Sequence, residues 1–173
     1  MLKKKLLSLV MVMAAMFYSS CSVTLSGASI PPDMKTINVQ FFENNAPLVV
    51  SNLSQVFTEA LKDRIRSQTR LGIVRGEADA TFEGAITGYS IAPVSVQATD
   101  NNTQPLATGT RLTITVNVKY VNNKDKKLSP DFEQSFSRYT DFTGDLASKE
   151  QNLIRIINQQ LVEDIFNKAF ANW

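Results

Sequence analysis

The chain contains no histidine and only one cysteine, Cys21, among its 173 residues. Without histidine neither a Ser-His-Asp nor a Cys-His catalytic arrangement can be assembled, and zinc sites built from imidazole and thiolate are excluded. One cysteine allows no disulfide within the chain. The glycines form no phosphate-cradling loop: Gly72 stands alone, and Gly84 and Gly88 lack both the fingerprint spacing and a following helix. What remains is chemistry by carboxylates alone, such as glycoside hydrolysis by an acid pair. Glu77 and Asp79 stand two apart in a turn that leads into a strand, while Glu59, Asp63, Glu163 and Asp164 decorate helix faces, the ordinary place for solvated acids. No catalytic residue, no metal ligand and no cofactor is assigned.

Long apolar runs are also missing. The apolar run near the start, Leu6 to Phe17, has twelve residues, and at about 1.5 Å rise per residue it falls short of a hydrocarbon core of roughly 30 Å. Lys3, Lys4 and Lys5 precede it, and Ser19 and Ser20 follow, directly before Cys21. These are the basic, apolar and small-residue parts of a secretory signal peptide. The string Tyr18-Ser19-Ser20-Cys21 resembles the lipobox of bacterial lipoproteins, with Tyr where that motif usually has Leu. Residues 1–20 are therefore read as a lipoprotein signal peptide and Cys21 as the lipidated residue, the only covalent group expected. The alternative is an ordinary signal peptide followed by a chance cysteine.

Cleavage before Cys21 removes three lysines and leaves fifteen basic against sixteen acidic side chains. A near-neutral surface argues against nucleic acid, which is bound by clusters of Lys and Arg. About 150 residues suffice for one domain with a real core. Residues 21–34 read as the lipidated cysteine and a polar tether, and residues 35–173 as a single α+β domain. Two or more acyl chains on Cys21 would make the anchoring stable, which one chain does not.

Within the domain, Ile37, Val39 and Phe41 alternate with polar residues, as in a strand with one buried face. From Asn52 to Gln68 the apolar residues Leu53, Val56, Phe57, Ala60, Leu61 and Ile65 recur at three and four, which predicts an amphipathic helix with Ser51 as its N-cap. A brief strand is expected at Leu71 to Val74, then a long one over Ala80 to Val96. The phase of the long strand changes between Phe82 with Ile86 and Tyr89 with Ile91, so a bulge is expected near Gly88. Pro93 places its far half at a sheet edge. Asp100 to Gly109 reads as a hairpin tip. Leu112, Ile114, Val116, Val118 and Tyr120 then alternate with polar residues in the clearest strand of the chain. After a polar turn, Phe132 to Phe142 forms the last strand. A helix over Leu146 to Phe170, capped by Asp145, carries one wide apolar stripe from Leu153 to Ala169. The order β-α-β-β-β-α implies a four-stranded, mostly antiparallel sheet with two helices on one face, its first two main strands parallel.

The lipobox, the lead-in Gly27-Ala28-Ser29-Ile30-Pro31-Pro32-Asp33-Met34-Lys35, the helix Leu53 to Ile65 and Ala78-Asp79-Ala80 opening the long strand together resemble the lipopolysaccharide-assembly lipoprotein family LptE. The ending Ile165-Phe166-Asn167-Lys168-Ala169-Phe170-Ala171-Asn172-Trp173 is similar to a branch of that family without a disordered tail. No string is a strong motif alone; order and spacing carry the resemblance across nearly the whole mature chain. It implies a non-catalytic outer-membrane lipoprotein, facing the periplasm, that plugs the large β-barrel LptD, helps it assemble and contacts lipopolysaccharide (LPS) in transit. Ser22 to Ser26 are uncharged, unlike acidic surface-export tags, which agrees with that orientation.

The resemblance also implies LPS contacts by basic residues near the middle hairpin tip and just before the last helix. The second position falls near Lys149, but Thr99 to Pro105 holds no Lys or Arg. Arg111 is the nearest cation to the tip, and Lys124, Lys126 and Lys127 occupy another turn; each is a candidate for lipid A phosphates and each is also an ordinary surface charge. Two other classes stay open: an accessory lipoprotein or protein-binding module of a different envelope transport complex, and a carboxylate enzyme acting on glycans. Phe132, Phe136, Tyr139, Phe142 and Trp173 suggest a sugar platform, yet their phases alternate, and Trp173 is expected to close the core.

Overall fold

The computed structural model describes residues 30–48, 50–94 and 109–171. Cys21, the hairpin tip and Trp173 lie outside the described residues, and so do the expectations attached to them. Among those described, the elements run β1 (Thr36–Val39), β2 (Glu43–Asn44), α1 (Leu53–Gln68), β3 (Gly72–Ile73), β4 (Ala80–Val94), β5 (Gly109–Asn122), β6 (Phe132–Phe142) and α2 (Glu150–Phe170). They form one sheet in the order β3-β1-β4-β5-β6, with β2 pairing β4 beyond the end of β1. None of the described helices is long and apolar enough to cross a membrane.

Four strands were expected, and the sheet has six. The brief strand foreseen at Leu71 to Val74 is Gly72–Ile73, parallel to β1. The two-residue β2 was unforeseen. It arises where the chain kinks after Val39, which also corrects the expectation for Phe41: this side chain is 58 % exposed while Phe42 is fully buried. An irregular residue shifts the period-two phase by one, and Phe42 then packs edge-on against Phe57 of α1 at 5.1 Å. β1 is parallel to both its neighbours, whereas β4, β5 and β6 pair antiparallel over most of the sheet's length.

The long strands follow the sequence pattern closely. Leu112, Ile114, Val116, Val118 and Tyr120 of β5 all have no exposed surface. The register of β4 against β5 shifts between Ile86 and Gly88, at the expected bulge. Beyond it, among the described residues, β4 pairs with β5 alone, so Pro93 lies on an edge where its missing N–H is harmless. Ile91, placed in phase with the buried Tyr89, is 41 % exposed because β4 there runs past the cover of the helices.

Both helices pack on one sheet face. α1 buries Leu53, Phe57, Leu61 and Ile65, and α2 buries its whole stripe from Leu153 to Phe170, including Leu161 and Ile165. Full burial of each such side chain contributes about 1.5–3 kcal/mol. The helix starts differ from expectation. Ser51 is not the cap of α1; Asn52 stands there, and its side chain bonds to Gln151 of α2 rather than to the helix backbone. α2 begins at Glu150 and not Leu146, since Asp145 accepts from Ser148 N–H and closes a separate turn ahead of it. Glu150 in turn accepts from the Tyr89 hydroxyl at 2.7 Å, tying the first turn of α2 to β4. At the entrance, Ile30, buried Pro31 and Met34 pack with the core, so the last part of the stretch assigned to the tether belongs to the domain.

Candidate functional site

With the helices on one face, the other face of the sheet is open, and the alternation that fills the core also determines what this face displays. On β5 it carries Arg111, Thr113, Thr115, Asn117 and Lys119, and the register sets Asp141, Tyr139, Ser137, Ser135 and Glu133 of β6 beside them. The result is a ladder of paired polar groups. Arg111 holds Asp141 through two hydrogen bonds of 2.7 and 2.9 Å and lays its guanidinium over the Tyr139 ring, 3.7 Å from the centroid. The Thr115 and Ser137 hydroxyls lie 3.0 Å apart, Asn117 donates to Glu133 at 3.4 Å, and Lys119 pairs with Glu83 of β4 at 2.5 Å. Hydrogen bonding to Arg111 keeps the Asp141 carboxyl below its ordinary range, and hydrogen bonding to Glu83 raises the Lys119 ammonium. Arg111 and Lys119 are each paired with a carboxylate, while Glu133, among the described residues, accepts only from the Asn117 amide, so the face offers hydroxyls, amides and two ion pairs rather than a strong field of one sign.

The five cations singled out in the sequence divide into two groups. Arg111 lies beside the β4–β5 tip, and Lys149 stands just ahead of α2 at that same end, donating to the Thr143 carbonyl at 2.5 Å. Lys124, Lys126 and Lys127 occupy the β5–β6 turn at the opposite end. Lys124 pairs with Asp79 at 3.2 Å and Lys126 with Asp131 at 2.6 Å, whereas the Lys127 ammonium is unpaired among the described residues. β5 has 14 residues between the two ends, and at about 3.4 Å per residue the groups stand on the order of 40 Å apart. They cannot form one phosphate site.

Glu77 and Asp79, the acids weighed as a catalytic pair, do different work. Asp79 accepts from the N–H groups of Lys35 and Thr36 at 2.8 and 3.0 Å as well as from Lys124, and the first of these bonds does most to depress its carboxyl far below the carboxylate range. A carboxylate so held is a clamp on the start of β1, not a base. Glu77 is exposed. Among the described residues no group of three or more possible metal ligands comes together.

Two features escaped the sequence reading. Asn158 of α2 is buried between the helices with neither amide atom partnered among the described residues, and it borders a groove of about 600 Å³ walled by Val56, Ala60 and Val162. Its spacing within the apolar stripe was the available signal. Lys35, Arg70 and Lys168 join the β5–β6 turn at one end of the sheet, although more than a hundred positions separate the first from the last in the chain; that proximity has no local signal.

The fold is a mixed sheet with two helices on one side and, among the described residues, a polar face open on the other. The chain belongs to the lipopolysaccharide-assembly family LptE, matched over residues 34–169, a family of non-catalytic lipoproteins with an outer-membrane theme. No curated protein matches at the sequence level. Among solved structures the hypothetical protein CT253 from Chlamydia trachomatis is similar, with a TM-score of 0.54 at 12% identity, over 80% of this chain and 99% of that one. A putative neuraminyllactose-binding hemagglutinin homolog from Helicobacter pylori gives 0.53 at 9% identity, over 83% and 87%. The rare lipoprotein B from Shewanella oneidensis gives 0.47 at 11% identity, over 77% and 92%. At these identities the first two likenesses speak to the fold alone.

Proposed function

We propose that this protein is an outer-membrane lipoprotein, anchored through acylated Cys21 and facing the periplasm, that plugs an LptD-type β-barrel and assists lipopolysaccharide transport without catalysis. The family match over residues 34–169 carries the reading. The open sheet face supports it, since the lumen of a large barrel is polar and wet, and a plug needs extensive contacts without a strong field of one sign. Residues 1–20 are the signal peptide in this scheme, and the segment after Cys21 leads into the single folded domain. Lipopolysaccharide phosphates meet the tip end of the sheet, where Arg111 and Lys149 stand.

The test is affinity purification of the full-length lipoprotein from gently solubilised envelopes, followed by mass spectrometry. The expected result is a large LptD-type barrel in near one-to-one amount. Recovery of an inner-membrane transport complex instead would overturn the reading and put an accessory role in another envelope machine in its place.

A further inference from the structure

The cations of the domain are unevenly committed. Among the described residues, eight Lys and Arg side chains are held in salt bridges, Lys149 bonds a carbonyl and Arg155 an amide. The remaining five are Lys35, Arg70, Arg75, Lys127 and Lys168. All five belong to four segments gathered toward one end of the sheet, the entrance to β1, the turns flanking β3, the β5–β6 turn and the last turn of α2, with Arg75 set back from that end beside Asn38 and Val39. These segments, residues 30–35, 69–79, 122–131 and 166–171, carry seven cations and five carboxylates. From residue 30 onward the rest of the chain carries eight and eleven. The domain is thus polarised, basic at this end and acidic elsewhere.

This is also the end at which the chain enters. Ile30 leads into β1 there, and only the eight residues 22–29 separate it from Cys21. Fully extended, that connection spans about 30 Å. A domain standing inverted on its far end would need more, because the sheet alone is on the order of 40 Å long. With Cys21 acylated, the basic end is therefore the one held over the lipid surface, and free cations within about a Debye length, roughly 8 Å at physiological salt, are attracted to anionic headgroups.

We infer that the end of the sheet formed by Lys35, Arg70, Lys127 and Lys168 seats the domain on anionic phospholipid of the leaflet that holds its anchor. The inference rests on the acylation of Cys21 in the function proposed above, but not on the barrel. An acyl anchor and a basic patch are then two membrane signals on one chain, and the second sets the domain's orientation.

The test uses the purified lipidated protein, without a barrel, in vesicles of phosphatidylcholine alone or with added phosphatidylglycerol. Lysine acetylation is read by mass spectrometry, which also reports the state of Cys21. Lys35, Lys127 and Lys168 should be protected several-fold on the anionic vesicles, with the protection lost at high salt, while Lys149 at the far end reacts equally on both. The exposed substitutions Lys35→Gln, Arg70→Gln, Lys127→Gln and Lys168→Gln, combined, should remove protection from the neighbouring Lys124 and Lys126, the contact weakening about fivefold per cation lost. Equal labelling on the two vesicles, protection at Lys149, or protection conferred by lipopolysaccharide aggregates and not by phosphatidylglycerol would each overturn the inference. An unacylated Cys21 would overturn it together with the proposed anchor. An acylated Cys21 and a co-purifying barrel without protection would overturn it alone.

Discussion

Gly84 and Gly76 both take a backbone conformation that L-residues avoid, with φ of 155° and 86°, but only one of them is crowded. A Cβ at Gly76 would meet nothing within 4 Å, while one at Gly84 would lie 2.1 Å from the Asn117 carbonyl oxygen and 2.8 Å from the Phe42 ring. Gly76→Ala should cost about 1–2 kcal/mol, the backbone term alone. Gly84→Ala adds the displacement of a paired strand's backbone, because Gly84 lies opposite Val118 in the long β4–β5 ladder and the carbonyl beside it cannot rotate away. An overpacking cost of about 1–3 kcal/mol on top of a backbone term of about 1–2 kcal/mol puts the total at roughly 2–5 kcal/mol. That is a large share of the 5–15 kcal/mol that typically separates folded from unfolded chains. Urea unfolding of the two single variants, followed by circular dichroism, isolates the crowding as their difference. If Gly84→Ala proved no worse than Gly76→Ala, the close approach of β4, β5 and Phe42 would be wrong.

Two further outcomes are expected. Leu161→Ala, fully buried in the middle of α2, should lower stability by about 2–5 kcal/mol in the same urea assay; a near-neutral result would mean that this helix face is open rather than packed on the sheet. Asp79 is held below its ordinary pKa chiefly by the Lys35 N–H, so its folded value lies under the unfolded carboxylate value of about 3.9. Its contribution is therefore complete above about pH 5 and is lost as the pH falls through 4 and below. Urea midpoints measured from neutral pH to about pH 3 should fall less steeply for Asp79→Asn than for the unaltered protein; parallel curves would refute the clamp.

Much of this architecture was legible because burial here is periodic. The strict alternation of β5 and the wide stripe of α2 left one way to build a core, and the phase change around Gly88 announced the bulge that the register shows. What was not legible depended on single residues breaking a period. One irregular position after Val39 exchanged Phe41 for Phe42 in the core and created β2. Asn52, a good capping residue, turned its amide to Gln151 across the helix pair, a partner 99 positions away. The candidate cations were visible as residues, but their division between two ends was not, since it follows from strand direction and length. The clamp role of Asp79 was not legible because two of its partners, Lys35 and Thr36, come beside it through the parallel pairing of β1 and β4, and the third, Lys124, through the antiparallel β4–β5 ladder.

That parallel pairing has a mechanical consequence. β1 enters the sheet at Thr36 with neighbours on both sides running in its own direction, and the Asp79 carboxylate grips its first two N–H groups. A pull applied through residue 30, along the strand and away from the sheet, loads the β1 ladders in shear, so their hydrogen bonds resist together and do not peel one at a time. A short strand of four residues is thereby placed where it bears force best. Tension on the chain's entrance would be carried into β4, the longest strand of the sheet, before any helix is disturbed.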